Sequence, residues 1–210
     1  MTIEATNDDD FVKYGPRAVR TRQAILEASG RLFLERGYAG TRISNITSAC
    51  GISRAGFYTY FRDKRELFGL LGENAYRAIL DVIGTWDTLP RPCGVDDVAA
   101  WVRAYFAFMD THGAFVFASS QSWPEDPRLR TESTQRQLRV AYLMGAHLRG
   151  RQARPTGAPE ALGLAVLAML DRSWYRCHTD GLPVRDEDVI GTIAGWICRL
   201  LLDARPGQAK

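Results

Sequence analysis
Apolar side chains return every three or four positions through most of this chain, the spacing that lines one side of an α-helix. Ile25, Ala28, Leu32 and Phe33 form one such stripe, which Gly37 stops. Leu67, Leu70, Leu71, Ala75, Ile79 and Ile83 form a longer one, running from Asp63 towards Trp86 and followed by the Leu89–Gly94 breaker cluster. Val98, Trp101, Val102, Tyr105, Phe106 and Met109 spread over a broad face of a helix predicted for 95–111. After His112 and Gly113, the short run 114–118 would suit a buried strand, but it has no partner strand elsewhere, so it is read as helical. Beyond a loop at Trp123–Pro127, an amphipathic helix is predicted from Arg128 to about Arg151. Two apolar helices close the chain, one bearing Leu162, Val166, Met169 and Trp174, the other Val189, Ile190, Ile193, Ile197 and Leu200. The pattern predicts an all-α protein.

A denser arrangement lies between the first two stripes. Thr41 is the expected N-cap of a short helix in which Ile43, Ile46 and Ala49 follow at three-residue steps. Gly51 ends it, suited to the left-handed backbone conformation, and Ser53 can cap a second helix from Arg54 to about Tyr60. Two short helices joined by a tight glycine turn make a helix-turn-helix. In the second, Ala55 and Gly56 add little bulk beside the Arg54 guanidinium, so the helix start can approach a base-pair edge or a phosphate. Tyr58, Thr59 and Tyr60 carry hydroxyls suited to phosphate oxygens, whereas Phe57 and Phe61, four apart, read as the buried face. Asp63 and Glu66 form a capping-box-like start for the long helix. Lys64 falls in its first turn, where the ammonium and the helix's positive end could both meet a phosphate.

The run GISRAGFYTYFRDKREL, with TRQAILEASGRLFLERGYAGTRISNI before it, resembles the signature of the TetR family of one-component bacterial transcriptional regulators. That signature is a glycine turn, a serine, a Tyr-x-Tyr/His-Phe element and a lysine three residues after the Phe. The resemblance covers roughly residues 18 to 70. It departs at Gly56, where Thr or Ala is more usual and a helical glycine costs about 1 kcal/mol, and at Arg42, where Ser or Thr often caps the first motif helix. Polar and acidic residues with little to bury predict a flexible tail over 1–14, and the resemblance implies a three-helix helix-turn-helix domain over 15–66 and a larger helical domain over 67–206 for effector binding and dimerisation. The DNA contacts it implies are Arg42, Ser53, Arg54, Ala55, Gly56, Tyr58, Thr59, Tyr60 and Lys64.

In this family the last two helices pair with their copies as a four-helix bundle, which points to Leu162, Val166, Met169, Ile190, Ile193 and Ile197 as a dimer interface. The alternative is that they are intramolecular core. A homodimer suits the task, because one short helix reads few base pairs and two-fold pairing sets two half-sites on one DNA face. The second domain should hold an effector pocket. Phe106, Phe117, Trp123, Tyr142 and Trp174 are its candidate walls, suited to an apolar or aromatic small molecule, or else plain core. Arg103, Asp171, Arg172 and His178 sit in or beside apolar runs and either orient a ligand or bond to backbone and water.

Charge sharpens the picture by its position rather than its size. The formal net charge is +3, but Lys13, Arg17, Arg20, Arg22, Arg31, Arg36, Arg42, Arg54, Arg62, Lys64 and Arg65 crowd the first third, the footprint expected for phosphate. Cys50, Cys93, Cys177 and Cys198 show no CxxC, and the three histidines share no ligand spacing, so neither a metal site nor a disulfide framework is predicted. No phosphate-cradling glycine loop, GxSxG or HExxH is present, so no catalytic residues and no cofactor are expected. With no apolar run long enough to cross a bilayer and no signal region, a cytoplasmic protein is expected. The expected function is a homodimeric repressor released from a palindromic operator by a small ligand. The alternatives are a ligand-independent accessory DNA-binding protein and an enzyme with a DNA-binding arm.

Overall fold
The computed structural model describes residues 15–121, 127–152, 155 and 157–202; the predicted tail and Trp123 lie outside the described residues. Among these, the elements are helical throughout. They run α1 Pro16–Gly40, α2 Ile43–Cys50, α3 Arg54–Tyr60, α4 Lys64–Gly84, a 3-10 turn Thr85–Thr88, α5 Val95–Gln121, α6 Pro127–Arg149, α7 Pro159–His178 and α8 Asp186–Trp196. The backbone then continues as a π-helical turn, Ile197–Leu202.

The chain divides into two compact units, one of residues 1–73 and 114–127, the other of 74–113 and 128–210. In the first, Ile25, Leu26, Leu32 and Phe33 of α1 meet Ile46 of α2, Phe57 of α3, and Leu67 and Phe68 of α4 in one core. Phe33 and Phe68 stand edge to face with centroids 5.6 Å apart, and Phe115, from the end of α5, tilts against Phe68 at 4.9 Å. The stripe on α2 differs from the three-residue expectation: Ile46 and Thr47 are buried and Ala49 is exposed, because a helix turns back onto its inner face after three or four residues rather than strictly three.

The second unit is built around α5, α6, α7 and α8. Val98, Val102, Met109, Met144, Leu148, Leu170, Ile190 and Ile193 are buried in it, and Trp86 meets Trp101 edge to face at 5.1 Å. α6 and α7 approach with backbone against backbone: a Cβ on Gly145 would lie 1.7 Å from the Pro159 carbonyl oxygen, and one on Gly163 1.8 Å from that of Ala141. Only glycine fits at either point.

α5 corrects the expected break at His112 and Gly113, since it is one helix from Val95 to Gln121. Gly113 is there for contact rather than for a turn, because the Trp174 ring lies against its Cα.

Candidate nucleic-acid interface
The first unit's surface is shaped by an elbow. Gly37 takes φ +70°, outside helical geometry, so the end of α1 bends before α2 begins. Thr41, expected to cap α2, instead ties the elbow. Its buried hydroxyl shares its one proton between the Gly37 carbonyl at 2.8 Å and the Leu32 carbonyl at 3.0 Å. The N-cap is Arg42, whose backbone N–H donates to Asn45 Oδ1 at 2.9 Å. The Asn45 side chain thus supplies the N3 half of a capping box, satisfying the N–H of the cap residue itself.

The turn into α3 follows its local chemistry. Gly51 is left-handed at φ +65°, ψ +30°, and its N–H returns to the Ser48 and Thr47 carbonyls. Ser53 Oγ accepts from the Gly56 N–H at 2.9 Å and so caps α3. Phe57 and Phe61 are buried on the inner face, where Arg22 lies over the Phe61 ring at 5.3 Å. With those two turned inward, Arg54, Ala55, Tyr58 and Thr59 are left exposed on the outer face, and Gly56 and Tyr60 are half-buried at its margins. The Arg54 guanidinium sits over the Tyr58 ring at 5.8 Å, its Nη2 donating to the Tyr58 hydroxyl at 3.3 Å. Arg42, at the start of α2, is exposed as well, as are Ser44 and Ser48 one turn apart on that helix. The two serines went unnoticed in the sequence; their signal is the four-residue spacing on the side away from Ile46.

At the start of α4, Glu66 N–H donates to Asp63 Oδ1 at 2.8 Å, while Glu66 Oε2 accepts from the Arg62 N–H at 2.7 Å. The reciprocal cap is present, reaching one residue further back than a regular box. Lys64 is half-buried, and its ammonium turns to the carbonyls of Tyr38 and Thr41.

A short amphipathic helix, capped at its start, with a guanidinium, a phenol and a threonine hydroxyl outward and basic residues around it, is what a DNA groove requires. Residues 25–71 match the family described as bacterial regulatory proteins, tetR family. Over those residues the chain carries a TetR-family domain. In sequence it is similar to the transcriptional repressor AcnR of Corynebacterium efficiens, 40% identical over 67 residues, which are 31% of this chain and 36% of AcnR. The chain therefore matches about a third of that relative's length. The whole fold is similar to the TetR-family regulator PfmR of Thermus thermophilus, with TM-score 0.65 and 22% identity over 83% of this chain and 97% of that one. It is also similar to AibR, solved in complex with isovaleryl coenzyme A and operator DNA, with TM-score 0.61 and 19% identity over 86% of this chain and 98% of that one.

Outside the TetR-family domain, two of the residues expected to line one pocket come to a common neighbour. Phe106 and Trp174 are buried in the second unit and share a neighbour, His178, which stacks on Trp174 at 4.9 Å and meets Phe106 edge-on at 6.4 Å. Tyr142 is in the same unit but 46% exposed, whereas Phe117 belongs to the first unit. Polar side chains of the second unit, Trp174 among them, pair with one another. Trp174 Nε1 donates to Asp110 Oδ1 at 2.7 Å, and the Tyr105 hydroxyl donates to Asp171 Oδ1 at 2.6 Å. Arg103 makes a two-pronged pair with Glu187, at 2.9 and 2.7 Å. His178 Nε2 stands 3.2 Å from an Asp186 oxygen.

The expected dimer residues also need redrawing. Val166, Ile190, Ile193 and Ile197 are buried within a single chain, so they are its own core, and Leu162 and Met169 are half-buried. On the same two helices the large apolar side chains left outside are Leu164, 63% exposed, and Trp196, 51% exposed.

Proposed function
We propose that this chain is a homodimeric transcriptional repressor that binds a palindromic operator through α3 and is released by a small apolar or aromatic molecule. The observation that carries the reading is the outer face of α3, where Arg54, Tyr58 and Thr59 are exposed on a helix whose inner face is filled by Phe57. That helix enters the major groove, Arg54 facing base edges with Tyr58 steadying it and the Tyr60 hydroxyl facing phosphate. Ser53 and Gly56 bring the capped helix start close to the backbone, and Arg42 reaches phosphate from the start of α2.

Leu164 and Trp196 supply the centre of the dimer face, on α7 and α8. Gly191 supports it, since a Cβ there would meet nothing within one chain and its absence leaves room for a second helix. AibR, similar in fold and solved in complex with isovaleryl coenzyme A and operator DNA, supports a reading in which this fold binds both a small molecule and DNA. In the present chain the ligand would favour a conformation in which α4, which begins beside α3, no longer holds the two α3 helices at the groove spacing. A coupling of about 1–3 kcal/mol is typical of such control. Membrane residence is not part of the reading, as no helix among the described residues is long and apolar enough to cross a bilayer.

Selection of bound sequences from a randomised DNA pool at near-physiological salt tests the reading. A two-fold palindrome is the expected result. Recovery of no motif by folded, dimeric protein would favour the accessory DNA binder instead.

A further inference from the structure
His178 closes α7, and each of its two ring nitrogens faces a carbonyl or carboxylate oxygen, which accepts and does not donate. Nδ1 stands 3.1 Å from the Trp174 carbonyl, one turn back on the same helix. Nε2 stands 3.2 Å from Asp186 Oδ2, at the first residue of α8, and 3.6 Å from Asp110 Oδ1 on α5. A neutral imidazole has one N–H, so whichever nitrogen carries it, the lone pair of the other is set against an oxygen. The imidazolium, with a donor at both positions, meets every partner. Its charge also suits the place. His178 falls in the last turn of α7 and Asp186 in the first turn of α8, the ends at which helix dipoles favour a cation and an anion respectively. The ring is stacked on the Trp174 indole, with planes 10° apart and centroids at 4.9 Å, which sets the cation over an aromatic face. The side chain is 30% exposed, so its proton exchanges with solvent.

The charged groups around this ring have other partners or titrate elsewhere. On α8, Glu187 is held by Arg103 of α5, and Asp188 by Arg185. On α7, Arg176 pairs with Asp180, while burial and the Asp186 carboxylate push the Cys177 thiol up. Two turns back, Asp171 bonds the Tyr105 phenol, and burial raises its carboxyl to about 6. On α5, burial pushes the His112 imidazole down, and Asp110 also accepts from Trp174 Nε1. Among the described residues, that leaves His178 as the cation for Asp186. The turn between α7 and α8 is otherwise sealed by its own backbone, with the Leu182 N–H donating to the Arg176 carbonyl at 3.0 Å.

We propose that His178 is a proton-operated clasp: doubly protonated, it fastens the start of α8 to α7 and α5, and on losing a proton it lets Asp186 go, so that pH sets the α7–α8 face bearing Leu164 and Trp196. The consequence for that face rests on the dimer reading above, whereas the clasp itself does not. The clasp is shut on the acid side and opens as pH rises through the range in which imidazoles titrate, about 5 to 8.

The experiment is backbone hydrogen exchange of the full chain, read at Val189 and Ile190 from about pH 6.5, above the Asp171 titration, to about pH 8 and corrected for intrinsic exchange rates. Sedimentation of the same samples gives the dimer dissociation constant. In the wild type these amides should lose protection on the order of tenfold across the window, the size of one hydrogen bond to a charged group, and the dimer should weaken in step. His178→Gln should remove the pH dependence and hold protection at the wild type's alkaline level. Asp186→Asn should remove it with the opposite outcome, because its amide donates to a bare Nε2 and accepts from a protonated one, so protection stays at the acid level throughout. A histidine with a merely structural role would cost protection in both variants and show no pH dependence in the wild type, and that result would overturn the proposal. So would a wild-type dependence that survives in His178→Gln, since it would belong to another pair such as His147 and Asp87. Exchange that follows pH while the dissociation constant stays fixed would overturn the link to the α7–α8 face. Wild-type protein that sediments as a monomer at every pH would refute the dimer reading instead, and the clasp would then stand or fall on exchange in the wild type and the two variants.

Discussion

A Cβ on Gly113 would stand 2.7 Å from both Cη2 and Cζ3 of Trp174, so the indole of α7 lies directly across the backbone of α5. Its Nε1 reaches Asp110, just short of a turn earlier on the same helix, at 2.7 Å. Alanine is the better helix former at position 113, yet Gly113→Ala should destabilise the protein by about 2 kcal/mol, because overpacking outweighs propensity. Urea unfolding measures it. Stability equal to wild type would mean that the indole tilts aside freely.

This pair also marks where the sequence stops being readable. Gly51, Ser53 and Phe57 were legible because the reason for each lies within a few residues: a left-handed turn, a capped N–H, an inward face. Gly113 looked like a helix end because its reason, Trp174, is on another helix. Thr41 looked like a cap for the same kind of cause, since its hydroxyl serves Leu32 and Gly37 behind it rather than α2 ahead. On α7 and α8, periodicity identified the apolar positions but not what covers them. Val166 and Ile190 are covered by their own chain, while Leu164, off the stripe, is not.

Where α6 and α7 cross, Gly145 and Gly163 each face a carbonyl oxygen of the opposite helix at less than any Cβ could tolerate. The obstacle is backbone, which cannot rotate away. Gly145→Ala and Gly163→Ala should therefore each cost about 3 kcal/mol or more, the upper range for overpacking, and Gly84→Ala, helical and with open space around it, should cost none. Thermal denaturation of the three variants compares them directly. A Gly163→Ala protein melting with the wild type would show that the two helices can separate without loss.

The dimer reading separates Trp196 and Leu164 from Ile190. Leu164→Glu and Trp196→Arg change side chains exposed in one chain, so they should yield a folded monomer by sedimentation. Ile190→Ala opens a cavity in the core instead and should cost about 2–5 kcal/mol without selecting the monomer. A dimer that survives both surface changes would place the interface elsewhere.

Asp171 ties the second unit to pH. Burial pushes its carboxyl from 3.8 up to about 6, against the pull of the Tyr105 hydroxyl bonded to it. The same burial and the nearby carboxylate push the Tyr105 phenol well above its ordinary value. The folded carboxyl thus keeps its proton at a pH where the unfolded one has lost it. Stability should fall as pH rises from the ordinary carboxylate range to about 6 and stay lowered above it, by up to about 3 kcal/mol. Asp171→Asn cannot ionise and should flatten that decline in urea unfolding followed from pH 4 to 7. A decline as steep in the variant as in the wild type would assign it to other groups.

Arg54 and Tyr60 are assigned to different parts of the DNA, and salt can separate them. Arg54 is exposed at the start of α3 and steadied by Tyr58, a geometry that suits two hydrogen bonds to one base edge. Arg54→Ala should then cost about 1–3 kcal/mol on the selected operator and relax preference at one position of each half-site, while affinity for mixed sequence falls much less. Tyr58→Phe keeps the ring and removes the hydroxyl that receives the guanidinium, so it should give a weaker form of the same loss. Tyr60, at the margin of the face, is read as a phosphate contact through a neutral hydroxyl. Tyr60→Phe should weaken operator and mixed DNA alike and leave the salt slope nearly intact, because no cation is removed. Equal losses on operator and mixed DNA for Arg54→Ala, with a slope lowered by about 0.9 per chain, would make Arg54 a phosphate contact too. Base reading would then have to come from other side chains on that face, Thr59 foremost among them.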